Sequence, residues 1–157
     1  ATLGSAARCF ASQANATTVG FIGVGAMGSP MANNLIDSGY DVVVTDYSKD
    51  ALEQFKSRGI RTVDTPADLA QVEKLSAIVS MLPSGGHLKE AYLGDQGVLS
   101  AKDKLIPSLF IDCSTTGPQC AKDMDEIVSA LGDGRQFVDA PVSGGVPGAA
   151  AATLTFM

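Results

Sequence analysis

No apolar run in the sequence approaches the ~20 residues that a membrane-spanning helix requires, so nothing in it reads as a helical span. Basic residues are scarce. The chain has 11 Lys and Arg against 17 Asp and Glu, a formal net charge of −6. Nucleic acids select basic surfaces through their phosphates, which argues against them as the main partner. The acidic residues are dispersed rather than gathered in a block, as on a solvated face. Cysteine is sparse: Cys9, Cys113 and Cys120 form no CxxC pair and no metal-ligand spacing. That excludes a disulfide framework and a cysteine metal site, and points to reduced thiols. Histidine occurs once, as His87. One imidazole without a partner motif is poor ground for a catalytic base.

What is present fits one folded domain. The 157 residues are 45% hydrophobic and 18% charged, a globular rather than a disordered balance. That length buries a real core but does not comfortably hold two domains. Residues 1–17 stand apart, with one Arg, no Asp or Glu, and many Ala and Ser. Such a composition reads as an organelle transit peptide, with a disordered tail or a terminal remnant as the alternative. Arg8 to Ser12, "RCFAS", resembles a mitochondrial presequence cleavage context. Residues 18–157 then form the expected domain.

Within that domain, apolar runs alternate with helical patterns. Strands are expected at residues 18–22, 41–46, 61–63, 75–82, 109–114 and 135–142, and a seventh is expected to start at 152–157. Helices are expected at 27–38, 50–58, from Thr65-Pro66, across 84–93 and at 115–131. Residues 143–151 read as a glycine-rich loop. This alternation indicates βαβ units, hence an α/β fold with a doubly wound, mainly parallel sheet of the Rossmann type.

Three glycines, Gly23, Gly25 and Gly28, follow the first strand and open the first helix as a GxGxxG turn. Glycine at these places serves the turn, the close approach of a pyrophosphate, and helix–strand packing. The helix N-terminus offers unpaired N–H groups to phosphates. Asp46 ends the second strand near where an acidic residue meets the adenosine ribose, about 20 residues beyond the glycines. A carboxylate there accepts from both ribose hydroxyls and repels a 2′-phosphate. It therefore favours NAD over NADP, although Lys49 nearby tolerates some NADP. The alternative reading of Asp46 is a cap for the following turn.

The loops "MLPSGGH" (81–87) and "DCSTTGP" (112–118) leave the carboxyl ends of strands, the side on which such sheets bind ligands. Ser114 and Thr115 read either as hydroxyl donors to a ligand or as helix N-caps. Ser143, Gly144 and Gly145 read as an anion nest or as a flexible loop.

Four ordered stretches, "GFIGVGAMGSPMANNL", "SMLPS", "IDCST" and "DAPVSGGVPGA…TLTFM", together resemble the β-hydroxyacid dehydrogenase family from about Val19 to Met157. The resemblance implies NAD-dependent oxidation of a 3-hydroxy acid to its semialdehyde. In the branch it most resembles, the substrate is 3-hydroxyisobutyrate, in valine breakdown in the mitochondrial matrix. Sister enzymes reduce tartronate or succinic semialdehyde, and a non-catalytic NAD(P)-binding protein is a further reading.

Carried over residue by residue, the resemblance assigns the pyrophosphate to Gly23, Gly25, Ala26, Met27 and Gly28, and the ribose to Asp46. It adds Leu82, Pro83, His87 and Thr115 as cofactor contacts. It assigns the substrate carboxylate to Ser143, Gly144 and Gly145. His87 stands where relatives have Asn, and Ala152 where they have Gly; a methyl there is strained if φ is positive. The family's proton-transferring Lys lies in a "GxxGxGxxxK" pattern that this sequence lacks. The expectation is a cofactor-binding portion without the family's helical second domain. It would have no catalytic residue of its own and little activity alone, the homodimer or tetramer belonging to the full-length protein.

Overall fold

The computed structural model describes residues 16–157. The expected leader lies almost wholly outside them. Thr17 already joins the fold, its carbonyl accepting from the Asp41 amide.

The chain runs β1 (Thr18–Ile22), α1 (Gly28–Asp37), β2 (Asp41–Thr45), α2 (Lys49–Lys56), β3 (Arg61–Thr62), α3 (Pro66–Leu69) and β4 (Leu75–Ser80). It continues through α4 (Gly85–Leu93), a 3₁₀ segment (Val98–Lys104), β5 (Leu109–Asp112), α5 (Pro118–Ser129), β6 (Gln136–Asp139), β7 (Val142–Ser143), α6 (Gly145–Ala150) and β8 (Thr155–Phe156). β1 to β6 form one parallel sheet in the order β3-β2-β1-β4-β5-β6. The chain first builds outward from β1 to β3, then returns to the other side of β1 as β4. Right-handed crossovers place the helices of the two halves on opposite faces of the sheet. The strand order reverses between β1 and β4, so a crevice opens at their carboxyl ends.

Side-chain alternation fills both faces. Val42, Val44 and Phe21 meet Met31 and Ala32 of α1 and Phe55 of α2 on one face. Val43, Ile22, Ile78 and Phe110 meet Leu88, Ala91 and Tyr92 of α4, and Met124 and Val128 of α5, on the other. Tyr92 stacks edge-on against Phe110 and Phe137 at centroid distances of 5.8 and 6.1 Å. The strands are apolar on both sides because both sides are covered.

The carboxyl-end amides continue the ladders past the strands. Gly23 donates to Thr45 O (3.0 Å), Met81 to Ile22 O (2.9 Å), Cys113 to Ser80 O (2.8 Å) and Ala140 to Asp112 O (2.8 Å). Each loop on this edge therefore leaves from a fixed point.

Two expectations are corrected. The final run does not extend the parallel sheet. β8 pairs antiparallel with β7 as a separate two-stranded ribbon. The stretch expected as a loop after Ser143 contains α6, which is docked on α1 by an Asn34 Nδ2–H bond to Ala149 O of 2.7 Å. Among the described residues, Cys113 and Cys120 are free thiols.

Candidate dinucleotide-binding site

A cleft of about 1280 Å³ opens at the strand-order reversal. Its lining includes Gly23, Gly25, Ala26, Met27 and Gly28 from the β1–α1 turn, Asp46 from the end of β2, and Leu82, Pro83 and His87 from the β4–α4 loop. Those residues span separate stretches of sequence, and the sheet brings them together.

The three glycines differ in what the fold asks of them. Gly23 sits at φ +89°, and a Cβ there would lie 2.4 Å from the Met81 carbonyl. A Cβ on Gly28 would lie 1.8 Å from the Gly23 carbonyl, so α1 packs directly on the turn. A Cβ on Gly25 would meet nothing within 4 Å. Packing therefore does not require glycine at 25. The residue is exposed and faces the cleft, where a missing side chain leaves room for a ligand.

α1 begins with no side-chain cap, whereas Ser48, Thr65 and Ser84 cap α2, α3 and α4. Its first turn starts in the cleft lining, where Ser29 N–H donates to Gly25 O (2.9 Å) and Pro30 has no N–H, which leaves the Gly28 amide available to an anion. These features suit a dinucleotide pyrophosphate: a bare glycine approach and an uncapped helix start.

Asp46 combines its two readings. Oδ1 accepts from the Ser48 amide at 2.7 Å, the turn cap, and Oδ2 accepts from the Val24 amide at 2.7 Å. The second bond ties the end of β2 to the glycine turn. Each carboxylate oxygen has a further lone pair, and Asp46 lines the cleft. Both capping and ribose binding are open to it.

His87 is exposed on the rim, its Nδ1 2.8 Å from Ser84 Oγ. Thr115 is exposed just beyond β5. Ser143, Gly144 and Gly145 are exposed beyond β6. These four share the carboxyl edge of the sheet but do not line the cleft. Gly144 (φ +136°) and Gly145 (φ +61°) turn the backbone into α6. Ser114 is not an N-cap. The N-cap of α5 is Gly117, without a side-chain bond, and Ser114 Oγ is engaged elsewhere.

The cleft also recruits residues that sequence reasoning passed over. Asp64, Thr65 and Pro66 enter from the start of α3, and Glu90, Asp95 and Gln96 from α4 and the turn after it. The Ala67 amide donates to Gln96 O at 3.0 Å, which clips these two segments together. Thr65-Pro66 is legible as a helix start, but nothing local says that this start faces a ligand.

Comparison with known proteins agrees with this geometry. Residues 18–157 match the family described as the NAD binding domain of 6-phosphogluconate dehydrogenase. The chain is 45% identical over 152 residues to mitochondrial 3-hydroxyisobutyrate dehydrogenase of Bos taurus, covering 97% of this chain and 44% of that protein. The solved structure of Mycobacterium tuberculosis 3-hydroxyisobutyrate dehydrogenase with L-serine superposes with a TM-score of 0.76 at 32% identity, over 91% of this chain and 46% of that one. A structure of Psf3 in complex with NADP+ and 2-OPP has a TM-score of 0.76 at 25% identity, over 88% and 47%. The chain thus spans less than half the length of these relatives. With residues 18–157 matched throughout, the chain belongs to the family of the NAD binding domain of 6-phosphogluconate dehydrogenase.

Proposed function

We propose that residues 18–157 form the cofactor-binding domain of a mitochondrial 3-hydroxy acid dehydrogenase that oxidises 3-hydroxyisobutyrate with NAD, in the matrix, as a step of valine breakdown. Residues 1–17 are its targeting leader. The observation that carries the reading is the convergence of the glycine turn, the uncapped start of α1, Asp46 and Leu82-Pro83 on one cleft at the strand-order reversal.

A dinucleotide held by these residues would supply the hydride acceptor for oxidation at the hydroxyl-bearing carbon of the substrate. The chain's own residues bind and orient. The glycine turn and the Gly28 amide at the start of α1 hold the pyrophosphate, with Ala26 and Met27 walling it. Asp46 accepts from the adenosine ribose hydroxyls while keeping its bond to Val24. Leu82, Pro83, His87 and Thr115 flank the nicotinamide half. Ser143, Gly144 and Gly145 take the substrate carboxylate, a role their two successive positive-φ glycines support.

NAD is favoured over NADP by charge. Asp46, Asp64, Glu90 and Asp95 all line the cleft, against Lys49 and the single His87. A 2′-phosphate beside Asp46 would add a like charge, which disfavours it.

Calorimetric titration of the chain with NAD and NADP tests this. The wild type is expected to bind NAD more tightly. Asp46→Ala loses hydrogen bonds from a charged acceptor, worth about 1.5–3 kcal/mol, on NAD and less on NADP. Equal losses for the two would remove the ribose role. A folded wild-type chain that binds no NAD would overturn the whole reading.

A further inference from the structure

Below the cleft, between β4 and β5, lies a seam of polar side chains with no solvent exposure: Ser80, Asp112 and Ser114 are each 0% exposed. One carboxylate oxygen organises them. Asp112 Oδ1 accepts from Ser80 Oγ at 2.8 Å, from Ser114 Oγ at 2.6 Å and from the Ser114 amide at 3.3 Å. Ser114 Oγ in turn accepts from the Leu82 amide at 2.8 Å. Leu82 lines the cleft, and its Cδ2 lies where a Cβ on Gly23 would come within 2.9 Å. A continuous path therefore runs from a buried carboxylate on β5, through one hydroxyl, to the backbone of the β4–α4 loop and onto the glycine turn.

A buried carboxylate is costly unless it is well hydrogen-bonded. Here three donors converge on one oxygen, while Oδ2 has no partner among the described residues. Packing of the sheet alone would be served by apolar residues at these places, as it is at Ile111 and Phe110 next to Asp112. The bonds instead serve direction. With its proton committed to Asp112, the Ser114 hydroxyl presents a lone pair to Leu82 N–H and holds that loop in one position.

We propose that Asp112 is a positioning residue: acting through Ser114, it fixes Leu82-Pro83 as the wall for the nicotinamide half of the dinucleotide. This rests on the cofactor reading above. The adenosine half lies toward Asp46, on the β2 side of the reversal, and does not depend on this path.

The test uses the chain with Ser114→Ala, Ser114→Thr and Asp112→Asn, and three readouts. These are amide hydrogen exchange at Leu82 without ligand, NADH affinity by fluorescence, and ADP affinity by calorimetry. Ser114→Ala is expected to accelerate exchange at Leu82 and weaken NADH about tenfold, with ADP within about twofold. Ser114→Thr keeps the hydroxyl and restores both. Asp112→Asn keeps an acceptor but loses its charge, so NADH weakens in the same direction by a smaller factor, again with ADP unaffected.

A general loss of structure would weaken both ligands together and would overturn the proposal. So would Ser114→Ala or Asp112→Asn variants that match the wild type in Leu82 exchange and NADH affinity, in a wild-type chain that binds both ligands. A wild type that binds neither ligand overturns the cofactor reading and this proposal together.

Discussion

Gly23 and Gly28 answer to backbone atoms a few ångströms away, whereas Gly25 answers to nothing the fold contains. This separates a folding requirement from a binding one within a single motif. A methyl on Gly28 must displace the Gly23 carbonyl, and overpacking of that kind costs about 1–3 kcal/mol or more. A methyl on Gly25 has room and no positive φ to oppose it, so stability should stay within about 0.5 kcal/mol of wild type. In the cleft the same methyl stands where the backbone must approach the pyrophosphate. Gly25→Ala is therefore expected to keep the wild-type urea midpoint and lose about tenfold or more in NAD affinity. Gly28→Ala is expected to lose stability first. Wild-type NAD binding by Gly25→Ala would show that this glycine has no ligand to accommodate. The motif was legible in sequence because glycine spacing is local. The separate task of each glycine is readable there too, but not the atom that confines Gly23, the Met81 carbonyl just past the end of β4.

Among the elements, α6 was hidden by its own ending. Its last turn closes as a Schellman motif: the Ala152 amide donates to Ala149 O at 3.3 Å and the Thr153 amide to Gly148 O at 2.9 Å. The C′ position of that motif is left-handed and ordinarily filled by glycine, yet here it is Ala152 at φ +56°. Without the glycine signal, the stretch after Ser143 reads as loop. Alanine in place of the family's glycine predicts strain at 152 wherever φ is positive, and φ is positive here. Left-handed backbone costs a non-glycine residue roughly 1–2 kcal/mol; glycine removes that strain but loses part of the gain to its greater unfolded-state freedom. Ala152→Gly should therefore raise stability by about 0.5–1 kcal/mol in urea denaturation. A neutral or destabilising result would mean that the left-handed turn is not held. The strand expected at 152–157 is present as β8, whereas its partner β7 and their pairing escape for a related reason. Two-residue strands carry no periodicity, and only pairing across α6 reveals them.

At the scale of the whole molecule, the doubly wound sheet is readable because both faces are covered and the long strands are therefore largely apolar. The polar seam inside it was not readable. Ser80, Asp112 and Ser114 look like ordinary strand-end residues until the two strands are laid side by side. Cys113, between Asp112 and Ser114 in the chain but buried in the apolar cluster with Phe21 and Val44, has a global consequence at high pH. Burial, with Asp112 and then Asp139 adding negative charge nearby, pushes the Cys113 thiol from 9.0 up to about 12. Burial likewise raises Tyr92 above its ordinary 10.0. In the unfolded chain both groups ionise at their ordinary values, while the native chain keeps both protons. The native state thus binds more protons, and stability falls as pH rises. The contribution of Cys113 is fully present below about 9.0 and is lost progressively between there and about 12. Urea midpoints measured from pH 7.5 to 10.5 should decline for the wild type once the thiol begins to ionise in the unfolded chain. Cys113→Ala removes that proton from the balance and should decline less steeply, leaving the contribution of Tyr92 in place. Parallel declines would show that Cys113 ionises as readily in the native fold as out of it, and that the cluster around its thiol admits water.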